Sequence, residues 1–300
     1  MKNGFFYSVH GFTLQSEIEC PELLPGRGGT PDIIVRYGAL GHIALDEDHP
    51  WRSARIGSRH LFLNIKGVGR FFVRDGCEIV VDPAPGAEKK MIRLFLLGSA
   101  LGCIVHQRGL LPLHANAFLH AGQAVLVLAH SGTGKSTLAA AMRNSGCKIL
   151  ADDVCAVRVV PGEKPLLYPG VPQIKLWKDA AEHLGEDIGT MQQVMHNEEK
   201  YALPLAEPFC DRSATIKALY ILNASEGMTL EIVDMAQIEK VDELRNHTYR
   251  KGMVAKLGIE AENLKSCAIL ANSVPMRRIR RPKSRFLLNE LADLLENDLP

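Results

Sequence analysis

The chain has 300 residues, of which 46% are hydrophobic and 23% are charged, and its formal net charge at pH 7 is +1. This is an ordinary globular composition, long enough for one large domain or two smaller ones. A net charge so close to zero produces no overall field that would draw the chain to nucleic acid or to a membrane surface, so we expect neither as a partner.

The cysteines and the apolar segments bear on the compartment. Seven cysteines occur singly, without a C-x-x-C pair, which favours reduced thiols over a disulfide framework or a zinc site. The N-terminal residues become polar too soon for a signal peptide. The longest apolar run, Leu94 to Val105, is too short to span a bilayer. We therefore expect a cytoplasmic protein.

Residues 1–86 are predicted to form a small β-rich N-terminal lobe. Short apolar segments alternate there with turn-rich pieces, and residues 71–81 have the pattern of a hairpin closed at Asp75-Gly76. Its scattered histidines are interpreted as solvated or hydrogen-bonded rather than as ligands: His10, His42, His49 and His60. The segment Pro83-Ala84-Pro85-Gly86 marks the boundary to a second domain, residues 87–300.

The second domain begins with a helical pattern from Ala87 to about Arg108, which Gly109 ends. Two short strands follow, joined by a turn at Ala121-Gly122. If they pair antiparallel, His114 at the start of the first strand comes close to the residues that follow the second strand. A histidine in such a position is, taken alone, more often structural than functional.

The second of these strands, Ala124 to Leu128, leads into a glycine-rich segment that opens a helix. The segment reads Ala129-His130-Ser131-Gly132-Thr133-Gly134-Lys135-Ser136-Thr137. Glycines let backbone N–H groups turn inward around an anion, a lysine reaches the β- and γ-phosphates, and a hydroxyl ligates Mg²⁺. Ala129 stands where the usual motif has its first glycine, and alanine is tolerated there if its φ is negative. The pattern predicts nucleotide or phosphate binding.

Two adjacent carboxylates follow the next strand. The helix after the loop is expected to end at Ser145-Gly146, and the apolar run that begins at Cys147 delivers Asp152 and Asp153 at its carboxyl end. In open α/β sheets the ligand lies at the carboxyl ends of the strands, so the pair should face the phosphate loop. One carboxylate can hold Mg²⁺ and the other can accept the proton of an attacking hydroxyl. The alternative is an Asp-Asp turn without function.

The order and spacing of these segments resemble a known family. His114-Ala115-Asn116-Ala117, the hairpin, Ser131-Gly132-Thr133-Gly134-Lys135-Ser136 and Ala151-Asp152-Asp153 look like the bacterial HPr kinase/phosphorylase family and its relatives. That group shares its nucleotide fold with phosphoenolpyruvate carboxykinase. The resemblance implies an α/β fold with a P-loop kinase core of this type. It covers about Leu111 to Val160 well and later segments more loosely.

The resemblance also implies roles for the residues. ATP phosphates would bind Lys135 and the loop, with these residues contributing: Ser131, Gly132, Thr133, Gly134, Ser136 and Thr137. Mg²⁺ would be ligated by Ser136 and one aspartate, while the other aspartate activates a serine hydroxyl and His114 stands near the transferred phosphoryl group. Which aspartate takes which role does not follow from the sequence. We assign Asp152 as the base and Asp153 to the metal.

Three departures from the family pattern bear on the acceptor. Thr137 follows Ser136 where HPr kinases usually have glutamate, and Ala115 follows His114 where they have glycine. No arginine-glycine signature follows the acidic pair. These departures disfavour HPr as the acceptor. The HPr-kinase-like relatives that the chain resembles include kinases that phosphorylate a serine of a ribosomal peptide, lasso peptides among them, and the resemblance implies this acceptor class. HPr serine kinase/phosphorylase, a small-molecule kinase of the adenylylsulfate-kinase type and a non-catalytic nucleotide-binding regulator remain alternatives. A homo-oligomer is an open option, because the family contains higher assemblies.

The remaining segments add elements without a chemical signature. Ile216–Leu222 and Glu231–Asp234 are predicted strands, and residues 286–295 a docking helix. Lys175 and Trp177 could touch a substrate or belong to an ordinary strand. Arg250 is either a phosphate clamp or, as we prefer, a solvated helical arginine. The basic run from Arg277 to Arg285 is interpreted as an edge strand protected by charge, with contact to a phosphate or an acidic peptide as the alternative.

Overall fold

The structure is a computed structural model that describes residues 4–41, 47–49, 51–195, 198–205, 209–283 and 287–299, with only the backbone described for 47–49. His42, Arg285 and Phe286, which figure in the sequence predictions, lie outside the described residues. The chain is a mixed α/β protein with several sheets. It divides into two compact units, Met1–Leu110 with Arg250–Asn263 and Leu111–Tyr249 with Leu264–Pro300.

The first unit is built mainly from one sheet, in agreement with the predicted β-rich character of the N-terminal residues. The pairing order is β3-β1-β2-β4-β9-β8-β7-β6-β5. The predicted hairpin at Asp75-Gly76 is confirmed, with positive φ at both residues. The strands are β1 Phe5–Val9, β2 Phe12–Ser16, β3 Leu24–Pro25, β4 Ile33–Tyr37, β5 Glu47–His49, β6 Arg52–Gly57, β7 His60–Ile65, β8 Gly69–Arg74 and β9 Glu78–Pro83.

The predicted helix after this sheet is also confirmed. It consists of α1 (Lys89–Phe95), a π-helical turn (Leu96–Ala100) and α2 (Leu101–Gln107). The ring of Phe95 lies 6.5 Å from that of Phe71, and the Gln107 side chain accepts a hydrogen bond from the Gly76 N–H at 2.9 Å. Because the helix packs on the sheet of its own unit, the compact unit extends to Leu110 rather than ending at residue 86 as the predicted domain boundary does.

The remaining elements begin with β10 at Leu111. Helix α6 belongs to the first unit and most of the others to the second. A 3₁₀ turn lies at Ile188–Thr190. In chain order the elements are β10 Leu111–Leu113, β11 Ala115–His120, β12 Gln123–Leu128, α3 Lys135–Asn144, β13 Ile149–Ala151, β14 Cys155–Arg158, β15 Leu166–Tyr168, β16 Gln173–Trp177, α4 Lys178–His183, β17 Gln192–Gln193, β18 Lys200–Pro204, β19 Ala214–Ser225, β20 Glu231–Asp234, α5 Gln237–Asn246, α6 Gly252–Leu257, α7 Glu260–Ser273, β21 Met276–Pro282 and α8 Leu288–Asp298.

The central sheet of the second unit has the order β10-β14-β15-β19-β12-β11-β13, with β21 beside β19 and β20 beside β21. Strand β12 reads as a continuous apolar run because both of its faces are buried. Val125 and Val127 lie in one core cluster with Leu138 of α3, and Leu126 lies in another with Leu270 of α7. Helices therefore cover both sides of this strand, as in α/β layer architectures.

The predicted hairpin before the glycine-rich segment is confirmed. Strand β11 pairs antiparallel with β12 from Ala115 opposite Leu128 to His120 opposite Gln123. The two-residue turn has positive φ at Ala121 (48°) and at Gly122 (79°), which is the geometry favoured between twisted strands. Strand β13 also pairs antiparallel with β11, from its other side. The carboxyl ends of β12 and β13 therefore share one edge of the sheet with the beginning of β11.

The basic strand near the C-terminus is not an edge strand, so that prediction was wrong. Strand β21 pairs in parallel with β19 on one side and antiparallel with β20 on the other. The helix predicted after it is confirmed as α8, which buries Leu291, Ala292 and Leu295 in the same core cluster as α3. Within the described residues, no helix combines the length and the apolar character needed to cross a membrane.

Candidate functional site

The site lies where β11, β12 and β13 meet at one edge of the sheet. The glycine loop, defined as residues 129–134, follows β12, the acidic pair follows β13, and His114 precedes β11. Together they line a cavity of about 440 Å³, which is within the range typical of small-molecule sites, about 300–1,000 Å³. The structure brings almost all of the sequence-predicted site residues to this cavity: His114, Ser131, Gly132, Gly134, Lys135, Ser136, Thr137, Asp152 and Asp153.

The glycine loop passes directly into helix α3. Gly134 precedes the first helical residue with a φ of 99°, a backbone conformation that residues with a Cβ rarely adopt. The first N–H groups of α3 therefore end at the cavity, where they and the helix dipole favour an anion. The helix ends at Asn144 and is followed by Gly146 with a φ of 92°, as the sequence predicts.

Lys135 is held by a residue to which the sequence gave no role. Its ammonium group donates to Asn116 Oδ1 at 2.7 Å, and Asn116 Nδ2 donates to the Lys135 carbonyl oxygen at 3.0 Å. Both residues are buried, with 1% of Asn116 and 7% of Lys135 exposed to solvent. Since a buried charge needs a partner, Asn116 compensates the lysine within the protein. The sequence signal for this role is Asn116 itself, an amide among the apolar residues that begin β11.

Asp152 contacts the first turn of α3 rather than standing free in the cavity. Its Oδ1 accepts a hydrogen bond from Ser136 Oγ at 3.2 Å, and its Oδ2 accepts one from the Lys175 backbone N–H at 2.7 Å. The sequence prediction placed Asp153 beside Ser136 at the metal. The observed contacts bring Asp152 to Ser136 instead, because the backbone turns at Asp153.

Asp153 has a φ of 75°, which is uncommon for a residue other than glycine. This backbone turn explains how two consecutive carboxylates reach one cavity, although successive strand residues point to opposite faces. Asp153 Oδ2 accepts a hydrogen bond from Lys175 Nζ at 2.9 Å, and His114 Nδ1 lies 3.1 Å from Oδ1 and 3.1 Å from the backbone oxygen. Strained backbone of this kind clusters at functional sites.

The two partners stabilise each other's charged forms. Burial alone would raise the pKa of Asp153, but Lys175 and His114 outweigh it and hold this pKa well below its usual range. Burial would likewise lower the pKa of Lys175, yet the neighbouring Asp153 carboxylate raises it above the ordinary value. The sequence left Lys175 as a substrate contact or an ordinary strand residue, whereas the structure makes it the counter-ion of the acidic pair.

A histidine of the glycine loop packs against a second histidine. The rings of His130, in the glycine loop, and His247 have centroids 4.8 Å apart. Burial lowers the pKa of His247, and its Nε2 has no hydrogen-bond partner among the described residues. The same segment supports His114, whose backbone N–H donates to the His247 carbonyl oxygen at 2.7 Å, while the Tyr249 N–H donates to the Pro112 carbonyl oxygen at 2.8 Å.

Arg250, weighed as a phosphate clamp, belongs to the first unit, where its guanidinium contacts Ser99.

The donor set fits a magnesium ion that also binds nucleotide phosphates. Among the described residues there is no group of three or more His, Cys, Asp or Glu side chains able to hold a metal. Mg²⁺, however, commonly uses only one or two carboxylates and takes its remaining ligands from phosphates and water. The hydroxyl of Ser136 and the carboxylate of Asp152, 3.2 Å apart, provide such a set.

Comparisons with known proteins give little beyond the geometry. No family model matches the sequence, and no curated protein matches it. Among solved structures, the chain is similar to the HPr(Ser) kinase/phosphatase from Coxiella burnetii, with 14% sequence identity and a TM-score of 0.33. The match covers 62% of this chain and 88% of that one. A TM-score this low carries no argument about function.

Proposed function

We propose that this protein is a kinase that transfers the γ-phosphate of Mg²⁺-bound ATP to a serine hydroxyl of a peptide or protein. One observation carries the proposal. The glycine loop and Lys135 share a cavity with two carboxylates in different environments. Asp152 contacts Ser136 in the first turn of α3, and Asp153 contacts Lys175 and His114. A purely phosphate-binding site does not require the second carboxylate.

The phosphates of ATP would bind the N–H groups of the glycine loop and the first turn of α3, together with Lys135. Ser136 and Asp152 would hold Mg²⁺, and this assignment, which reverses the one made from sequence, is supported by their 3.2 Å contact. When bound, the ion supplies positive charge that offsets the charge developing on the transferred phosphoryl group and the leaving ADP.

Asp153 is proposed to receive the acceptor hydroxyl. Its low pKa keeps it ionised, so it accepts a hydrogen bond from the hydroxyl and orients the oxygen for in-line attack. A carboxylate of low basicity suits a loose transition state, because the hydroxyl proton would pass to Asp153 only as the new P–O bond forms and the bond to ADP breaks. Lys175 and His114 position this carboxylate through contacts of 2.9 and 3.1 Å.

The acceptor class rests on the sequence alone. Thr137 and Ala115 depart from the HPr kinase pattern and disfavour HPr, and a serine of a ribosomal precursor peptide of the lasso type is the acceptor that the sequence resemblance implies. The test is incubation with Mg²⁺-ATP and a lasso-type precursor peptide that contains a serine, followed by intact mass measurement. HPr and adenylyl sulfate, offered in parallel, test the other two kinase functions.

The expected result is the gain of one phosphate on a peptide serine. Asp153→Asn should reduce transfer at least a hundredfold with little change in ATP binding, whereas Lys135→Ala should weaken both. Asp211→Asn is the matched control, because Asp211 is exposed and does not line the cavity. ATP binding without transfer to any acceptor would instead favour a nucleotide-dependent regulator.

A further inference from the structure

The charges of strand β21 are compensated with one exception. Four basic residues of this segment have carboxylate partners, and the pairs are Arg277 with Asp234 and Asp298, Arg278 with Glu243, Arg280 with Glu231, and Lys283 with Glu226. Arg281 lies between two of these residues and has no carboxylate partner among the residues that the structure describes. The strand is internal, so protection of an edge does not explain its charge.

The guanidinium of Arg281 is fixed against the glycine loop. Its Nε donates to the Thr133 carbonyl oxygen at 3.0 Å, and Nη1 lies 3.4 Å from the carbonyl oxygen of Pro282. Nη2 lies 3.8 Å from the position that a Cβ would take at Gly134 and has no acceptor among the described residues. Arg281 lines the same cavity as Lys135, and burial lowers the pKa of its guanidinium. A partly desolvated charge with free N–H groups favours an anion in this cavity.

The sheet topology gives the direction from which Arg281 approaches. Strands β12, β19 and β21 are parallel neighbours, so their carboxyl ends share one edge of the sheet. Arg281 is near the carboxyl end of β21, two strands from β12. The acidic pair follows β13, which lies two strands from β12 on the opposite side. Arg281 and Asp153 therefore flank the glycine loop from opposite sides.

We propose that Arg281 binds the phosphate chain of the nucleotide on the side remote from the acceptor, contacting the part that stays with ADP. This inference rests on the proposed function and extends it. The tether to Thr133 fixes the guanidinium while Nη2 points a free donor at the phosphates. Because the contacted phosphates are present in both nucleotides, the affinity for ATP and the affinity for ADP should depend on Arg281 to the same degree.

The test is calorimetric titration of the full chain with Mg²⁺-ATP, Mg²⁺-ADP and AMP. For Arg281→Gln, the dissociation constants of ATP and ADP should both rise about ten- to a hundredfold, the range for a hydrogen bond to a charged group. Arg281→Lys keeps the charge but lacks the planar guanidinium group, so its dissociation constants should lie between those of Arg281→Gln and the wild type. The control is Arg280→Gln, which removes the same charge from an exposed neighbour paired with Glu231 and should bind both nucleotides like the wild type.

Each outcome decides one of two questions. Wild-type affinity in Arg281→Gln, or a loss confined to ATP, would overturn the assignment of Arg281 while leaving the kinase proposal intact. Failure of the wild-type chain to bind either nucleotide would instead refute the proposed function. Thermal unfolding and circular dichroism establish that each variant is folded. If Arg281→Gln does not fold, Arg281→Lys decides, and unchanged affinity for both nucleotides in that variant overturns the inference.

Discussion

Replacing Asn116 by alanine tests whether this amide stabilises Lys135, the buried lysine that begins α3. The substitution removes the acceptor of Lys135 Nζ at 2.7 Å and the donor to the Lys135 carbonyl at 3.0 Å. A hydrogen bond to a charged group contributes about 1.5–3 kcal/mol and a neutral one about 1 kcal/mol. We expect Asn116→Ala to lower the free energy of unfolding by about 2.5–4 kcal/mol. For a unit of this size the melting temperature should fall by roughly 5–15 °C.

A double-mutant cycle isolates the contact between the two side chains. Lys135→Ala removes the ammonium group but leaves the backbone carbonyl that Asn116 also contacts. Urea unfolding of the two single variants and of the double variant should therefore give a coupling free energy of about 1.5–3 kcal/mol. Saturating Mg²⁺-ATP should reduce this coupling, because phosphate oxygens then provide further acceptors for the lysine.

The control for the cycle is Gln123→Ala. Gln123 lies at the opposite end of β12, and its Nε2 donates to Thr215 Oγ1 at 3.2 Å, so it shares no partner with Lys135. The effects of Gln123→Ala and Lys135→Ala should add within about 0.5 kcal/mol. A coupling between Asn116 and Lys135 as small as that of the control would refute the conclusion that the amide compensates the buried charge.

Two further predictions concern the ion pair and the cavity mouth. The pKa of Asp153 is about 4 in the unfolded chain and lower in the folded protein, so the ionised carboxylate stabilises the fold above about pH 4. This stability is lost as the pH falls toward the folded pKa. The raised pKa of Lys175 adds stability that is lost only above about pH 10. Urea unfolding should therefore show Asp153→Asn less stable than the wild type at pH 7, with the difference narrowing as the pH falls below about 4, and Asp211→Asn, which changes an exposed carboxylate outside the cavity, is the control. Nucleotide binding should change the fluorescence of Trp177, which lines the cavity and is 40% exposed, so Trp177→Phe should lose the signal and Trp51→Phe should keep it.

The elements of the second unit were predictable where a local pattern determines them. The apolar run of β12, the glycines of the loop and the glycine after α3 each specify backbone geometry within a few residues, and the structure has all three. The pairing of β21 was not predictable from its own composition. Alternating arginines fit both an edge strand and an internal strand with acidic neighbours, and Asp234 and Glu231 are more than forty residues away in sequence.

The site residues likewise divide into those that the sequence pattern predicts and those whose roles depend on distant contacts. His114 and the acidic pair could be predicted because the order of strands around β11 brings their ends together. Lys175 was left between a substrate contact and an ordinary strand residue, and Asn116 was given no role, because their roles come from contacts across 22 and 19 positions of the sequence. A lysine in one strand and an amide in another have many ordinary explanations until the fold places each against a charge.

The acidic pair shows why neighbouring residues need not share a role. Asp152 continues the direction of β13 and meets the first turn of α3, whereas the left-handed backbone at Asp153 turns the next carboxylate toward Lys175 and His114. Two free carboxylates at adjacent positions would repel each other and raise one pKa. Here each carboxylate has its own donor groups, Ser136 Oγ and the Lys175 backbone N–H for Asp152, and the Lys175 ammonium group and His114 for Asp153. Distinct donor groups for the two carboxylates are what a site needs if one carboxylate is to face a metal-bound phosphate and the other an incoming hydroxyl.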